Sequence, residues 1–252
     1  MFAFIKNCFI ASGLGFFLFV FNADSAVLAL WENDHLAGNE ASTTAGENPS
    51  GGSWNSYLDS APVLGRGPGA TAATYQDAFA MRNANETTLA NAISNNRYWT
   101  FTLTPGDKAN WMNITNITIR FSAQDATNYE VFFSLMSDQT GFTDGDELAT
   151  WAVGDTGNVS GWLGQQRTVS LSSVSSLQQL TNSVEFRVYA YGQPSQFTQV
   201  GIGWIFKTDG AADLTVFGEM AVLPEPGAMG LIGFACMIAA LLKKRNARSS
   251  IP

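Results

Sequence analysis

The chain has 252 residues, 46% hydrophobic and 13% charged, with a formal net charge of −8. This composition excludes a disordered polyelectrolyte, and the length suits one large β domain or two small ones. Five of the 13 basic residues lie in the end segments, which leaves 8 basic against 20 acidic residues between positions 27 and 226, a net of −12. Such a body excludes nucleic acid as a partner, because phosphate backbones are held by clustered Lys and Arg.

The N-terminus has the layout of a secretory signal. Lys6 gives a weakly positive start, residues 9–21 are almost wholly apolar, and small residues follow. Cleavage is expected after Ala26, or after Ala29 with Val27 three places before the cut, so residues 1–29 are assigned to the signal. Both cysteines, Cys8 and Cys236, lie in the end segments, which leaves the body without a disulfide or a thiolate metal ligand. His35 is the only histidine, which removes most zinc sites and the common His-based triads.

Residues 30–221 read as one all-β domain, an antiparallel β-sandwich of jelly-roll-like type. The stretch 38–52 is rich in Gly, Ser, Thr and Asn and is expected to form a long surface loop. A short helix is expected over 85–96, with Asn85 as N-cap and Leu89, Ala92 and Ile93 on one face. Strands follow at 98–103, 113–121, 128–136, 148–153, 168–171, 184–191, 200–206 and 213–220. In several of these, apolar and polar residues alternate at period two, as in Val184, Phe186 and Val188 against Glu185 and Arg187. Residues 172–180 suit one further helical turn or two. Half-buried strands between Gly, Pro, Asn and Asp turns favour a sandwich, and no internal repeat points to a propeller or solenoid.

The chain ends on Pro224-Glu225-Pro226, an apolar run over 227–242, and the basic residues Lys243, Lys244, Arg245 and Arg248. As a helix this run would span ~24 Å at ~1.5 Å per residue, short of the ~30 Å hydrocarbon core, and it contains Gly227, Gly230 and Gly233. The basic cluster would stay cytoplasmic as a membrane stop. The whole stretch, 222–248, resembles the PEP-CTERM sorting signal of exported bacterial proteins, although Leu223 stands where Val is commoner. The resemblance implies an exosortase, a membrane-embedded cysteine protease, as partner, with Pro224, Glu225 and Pro226 as its recognition residues. These belong to a substrate and not to an active site. It also implies export machinery as a partner, transient tethering in the inner membrane, and release to the cell surface or extracellular matrix.

The body is similar to a group of PEP-CTERM proteins that share a Trp-containing strand, an Arg-Gly-Pro-Gly turn, a Leu-Ala-x-Ala-Ile helix and a Phe-Thr-Leu-Thr-Pro strand. The corresponding pieces here contain Trp31, Arg66 to Gly69, Leu89 to Ile93, and Phe101 to Pro105. That resemblance implies architecture and address and carries no activity. The segment before the tail, with Asp213 and Leu214 in place of the usual Ile-Asp-Asn, departs from the group.

Chemistry in the body is sparse. Trp54, Trp111 and Trp162 lie at loops or strand ends among Asn, Ser and Gly and are the candidate glycan contacts, because sugar C–H faces stack on exposed aromatic rings. Trp99 and Trp204 sit in apolar strands and are assigned to the core. Asp144, Asp146 and Glu147 make an oxygen-rich loop that is a weak Ca²⁺ candidate, but it lacks the EF-hand spacing. No G-x-S-x-G elbow, P-loop or H-E-x-x-H occurs. The sequence therefore points to a non-catalytic surface or exopolysaccharide-associated protein that binds glycan. The alternatives are a polysaccharide-active enzyme using a carboxylate pair and a purely structural matrix or adhesive protein.

Overall fold

A computed structural model describes residues 26–33, 46–50, 53–73, 78–82, 86–124, 131–153, 162–192, 199–203 and 210–222. The strands are β1 (Ala26–Trp31), β2 (Gly46–Glu47), β3 (Leu64–Arg66), β4 (Thr71–Ala72), β5 (Phe79–Arg82), β6 (Tyr98–Leu103), β7 (Ala109–Gln124), β8 (Val131–Ser137), β9 (Ala149–Val153), β10 (Trp162–Ser170), β11 (Val184–Tyr191), β12 (Gln199–Ile202) and β13 (Leu214–Val222). They form two antiparallel sheets. The first is 7-stranded and runs β1-β13-β7-β12-β5-β4, with β10 also on β7; the second is 6-stranded and runs β2-β3-β6-β11-β8-β9. The chain is an all-β sandwich.

The core lies between the sheets because each strand turns one apolar set inward at period two. From the first sheet come Leu28, Trp31, Ile117, Ile119, Phe121, Ile202, Leu214 and Val216; from the second come Trp99, Phe101, Leu103, Phe133, Leu135, Phe186 and Val188. Aromatic rings join the layers. Phe121 stacks on Phe133 at 4.3 Å, and Trp31 lies against Phe101 at 5.4 Å. Among the described residues the two fully buried indole N–H groups each find a carbonyl on the opposite sheet, Trp99 at Phe79 O (2.8 Å) and Trp31 at Glu47 O (3.1 Å). Burying an indole without such an acceptor would cost about 1–3 kcal/mol.

Arg66 makes a third bridge. Its Nε donates to Ala80 O at 2.9 Å and its guanidinium lies 3.7 Å over the Phe79 ring. Burial pushes its pKa down to about 10, and the nearby Glu47 carboxylate offsets part of that shift. The cation–π contact keeps a desolvated charge favourably placed.

Strand β7 organises the first sheet. One edge pairs with β10 from Asn116 to Gln124; the other pairs with β13 up to Ile119 and with β12 from Phe121. The change of partner falls at Arg120, whose N–H donates to Asp213 O (2.7 Å) and whose carbonyl accepts from Gly203 N–H (3.0 Å). Asn33 seals the junction from β1, donating from its backbone N–H to Asp213 Oδ2 (2.8 Å) and from Nδ2 to Ile202 O (3.2 Å).

Several expectations are corrected. The helix, α1, runs only over Leu89–Ser94, and its N-cap is Thr88 rather than Asn85, which lies outside the described residues. Thr88 is extended, and its hydroxyl accepts the Asn91 N–H at 3.2 Å, so capping chemistry starts the helix there. The expected loop over 38–52 contains β2, because Gly46 and Glu47 pair with Gly65 and Leu64. Strands β3, β4 and β5 carry no clear alternation and were not expected; tertiary pairing extends them. The strand expected at 113–121 runs from Ala109 to Gln124, and the one at 168–171 starts at Trp162. Residues 26–29, inside the expected signal range 1–29, belong to β1. Residues 172–180 do make a single 3-10 turn, Ser175–Leu177.

No helix among the described residues is long and apolar enough to cross a membrane. The expected signal and tail spans, 9–21 and 227–242, lie outside the described residues, as does Trp204.

Candidate functional site

The outer face of the second sheet carries an unusual set of side chains. Period two puts Tyr98 and Thr100 of β6, Arg187, Tyr189 and Tyr191 of β11, and Phe132, Ser134 and Met136 of β8 opposite the core. The register aligns them in rows: Tyr98 faces Tyr189, Tyr189 faces Ser134, Arg187 faces Met136, and Tyr191 faces Phe132. Beyond β8, Ser134 faces Thr150 and Phe132 faces Ala152.

Part of this face is covered. Leu89, Ala92, Tyr98, Met136 and Tyr189 form a second apolar cluster beneath α1, flanked by Ile93, Phe142 and Tyr191. The helix is fastened at its C-terminal end by Glu86, which is buried. Its carboxylate accepts from Asn95 Nδ2 (2.9 Å) and forms an ion pair with Arg97, whose Nε lies 3.1 Å away, while its carbonyl accepts from Gly192 N–H (2.8 Å). The turn after β3 docks on the same end, with Gly67 N–H on Tyr98 O (2.8 Å) and Gly69 N–H on Asn96 O (3.1 Å). A Cβ on Gly69 would run into the Asn95 carbonyl, so this close approach requires glycine.

Arg187 packs under Phe142 (3.9 Å) and against Tyr98 (4.4 Å), and its Nε donates to Glu185 Oε1 at 2.7 Å. Burial opposes its charge, but the bonds to Glu185 prevail and raise its pKa further above the ordinary value. Burial pushes the Tyr189 phenol up, with Arg187 pulling it partly back. Glu185 also accepts from Thr100 Oγ1 at 3.0 Å, so this carboxylate is engaged as a structural partner.

The row at the end of β11 is only partly covered by the described residues. Phe132 and Tyr191 stack at 5.4 Å with planes 17° apart, and both are half-buried. Hydroxyls continue the row: Tyr191 Oη lies 3.3 Å from Ser134 Oγ, which lies 2.7 Å from the exposed Thr150 Oγ1. Ser134 is fully buried and serves to link the two, so the groups a saccharide could reach are the partly buried aromatic pair, for apolar C–H faces, and the exposed Thr150 hydroxyl.

The three tryptophans named from the sequence are not brought together. Trp54 bridges Ala29 and packs against the principal core, half-buried. Trp111 is half-buried near the start of β7, opposite Ala221. Trp162 opens β10 opposite Gln124, at the other end of β7 and on the order of 40 Å from Trp111 at ~3.4 Å per residue. One glycan platform cannot be built from them. Trp99 is fully buried, as expected of a core residue.

The acidic loop is held by its own hydrogen bonds. Thr143 donates to Asp146 Oδ2 from both its backbone N–H and its hydroxyl, and Gly145 N–H donates to Glu147 Oε1 at 3.2 Å. Asp144 is exposed. Among the described residues no group of three or more His, Cys, Asp or Glu is placed to hold a metal ion. Pro224, Glu225, Pro226, Lys243, Lys244 and Arg245 lie outside the described residues.

Sequence reasoning missed Phe132 because it read residues 128–136 for the inward set Val131, Phe133 and Leu135. The signal that could have found it is an aromatic residue on the polar phase of a strand, repeated in Tyr189 and Tyr191 of β11.

No protein-family model matches the sequence, and no curated protein matches it. Among solved structures it is similar to a cleaved adhesin domain of Lys-gingipain from Porphyromonas gingivalis, at 16% identity over 68% of this chain and 80% of that one, with a TM-score of 0.28. It is also similar to a family 29 carbohydrate-binding module from Piromyces equi, at 8% identity over 79% of this chain and 92% of that one, with a TM-score of 0.30. Neither likeness decides what this chain binds.

Proposed function

We propose that this chain is an exported, non-catalytic protein of the cell surface or of secreted exopolysaccharide, and that it binds glycan on the outer face of its second sheet. The observation that carries the binding clause is the half-buried Phe132–Tyr191 stack near the exposed Thr150 hydroxyl. The passage of the chain back and forth between sheets, from β6 to β7 to β8 and from β9 to β10 to β11, is in keeping with a jelly-roll-like sandwich. The N-terminal signal pattern and the PEP-CTERM-like tail support export, transient tethering and exosortase processing near Pro224, Glu225 and Pro226.

Affinity electrophoresis against the host's own exopolysaccharide tests the binding clause. The native chain is retarded, and Phe132→Ala or Tyr191→Ala weakens binding about tenfold or more, the equivalent of ~1.4 kcal/mol. No retention on any polysaccharide removes the clause. Intact mass of the exported protein tests the sorting clause: a species ending near Pro226 only when the exosortase is present supports it, and a full tail recovered in the membrane refutes it.

A further inference from the structure

The β1–β13 ladder bears on where the exported chain is cut. The sequence offers two small-residue cuts, after Ala26 and after Ala29. Strand β1 begins at Ala26, with Ala26 opposite Gly218, Val27 opposite Phe217 and Ala29 opposite Val216. Ala26 and Val27 are exposed, whereas Leu28 and Ala29 are fully buried in the principal core. The Leu28 carbonyl accepts the Asn55 N–H at 2.9 Å, and Ala29 bridges Trp54. The Leu28 side chain fills the space that a Cβ on Gly218 would need.

A chain that begins at Leu30 lacks all of this. The core loses a fully buried leucine, and the partner groups on β13 and Asn55 are left to water. The new charged amine would also stand in the ladder opposite Thr215, which is buried. A chain that begins at Val27 keeps every one of these contacts, and its amine lies at an exposed strand end where water solvates the charge.

We propose that the signal is removed by hydrolysis of the Ala26–Val27 bond and that the Ala29–Leu30 bond is left intact. Water adds across the amide, leaving a carboxylate on Ala26 and a free amine on Val27. The cut precedes folding, so the strand does not steer the peptidase; only a cut that spares Leu28 yields a chain able to complete its core. Asp24, three places before the cut, is the less usual residue there; a chain cut after Ala29 instead lacks Leu28 and does not accumulate as folded protein. The inference rests on the export reading above.

N-terminal sequencing and intact mass of the full-length protein secreted by its host decide the matter. A mature chain starting at Val27 is expected, and a chain starting at Leu30 overturns the inference while leaving export intact. An uncut chain folded in the cytosol overturns both. In the full-length chain, Ala26→Phe, at a position whose side chain faces solvent, is expected to reduce the mature form at least tenfold with accumulation of the precursor. Unchanged processing of that variant overturns the inference.

Discussion

The outer faces of the two sheets follow the same alternation and differ in what they carry. On the first sheet the outward residues of β7 and β10 pair as polar groups: Thr118 with Thr168 at 2.8 Å, and Arg120 with Gln166 at 3.1 Å. On the second sheet the outward phase holds Tyr98, Phe132, Tyr189 and Tyr191, partly roofed by α1. A sandwich needs only its inward phase to be apolar, so the aromatic content of the second outer face is surplus to the main core. Part of that surplus anchors α1, and the remaining Phe132–Tyr191 stack stays half-buried beside it.

That contrast can be broken most strongly from inside. Trp99→Ala, which removes a fully buried ring and its bond to Phe79 O, is expected to cost about 3–5 kcal/mol in urea unfolding. Phe132→Ala, on the same sheet but facing out, should cost less than about 1.5 kcal/mol while weakening polysaccharide binding about tenfold or more. Equal losses of stability for the two would show that Phe132 is a core residue.

Smaller effects sharpen the reading of the roof. Gly69→Ala forces a methyl into the Asn95 carbonyl and is expected to destabilise by about 1–3 kcal/mol, seen as a lower melting temperature. Thr88→Ala removes the cap of α1 and should cost ~1 kcal/mol, with the helix amides exchanging faster than those of β6. If those amides stay as protected as in the native chain, the helix is held by Glu86 and the apolar cluster alone.

The least effect concerns pH. The Tyr189 phenol is raised above its ordinary value of 10.0 by burial. Its contribution to stability is therefore complete below the unfolded value and is lost as pH climbs through the raised folded one. Between pH 9 and pH 12, a range of about three units around the ordinary phenol value, Tyr189→Phe should lose less stability than the native chain. A steeper loss in the variant would mean that burial does not set this shift.

Much of the fold was legible. Strands β6 and β11 were bounded to the residue, because strong alternation such as Val184, Phe186 and Val188 against Glu185 and Arg187 admits only one phase. β2 to β5 were not, because two-to-four-residue strands such as Gly46–Glu47 have no period to display and exist only through their partners. The candidate platform was illegible for a related reason. The period puts Phe132 on the phase opposite Val131, Phe133 and Leu135, but no sequence window says that this outward ring meets Tyr191 until the pairing of β8 with β11 sets the register. Trp54, Trp111 and Trp162 looked alike in sequence, but they occupy separate places along β7 and β1.

By itself the sequence determined the all-β class, the antiparallel strands of the central sheets, the acidic body without cysteine, and the two apolar ends. These are local or compositional properties, written in residue order and period. Only the tertiary structure decided that β7 changes partner at Arg120, that Leu28 is a core residue, and that Phe132 meets Tyr191. Each of these depends on residues far apart in the chain, and register between strands is set by long-range packing that no short window contains.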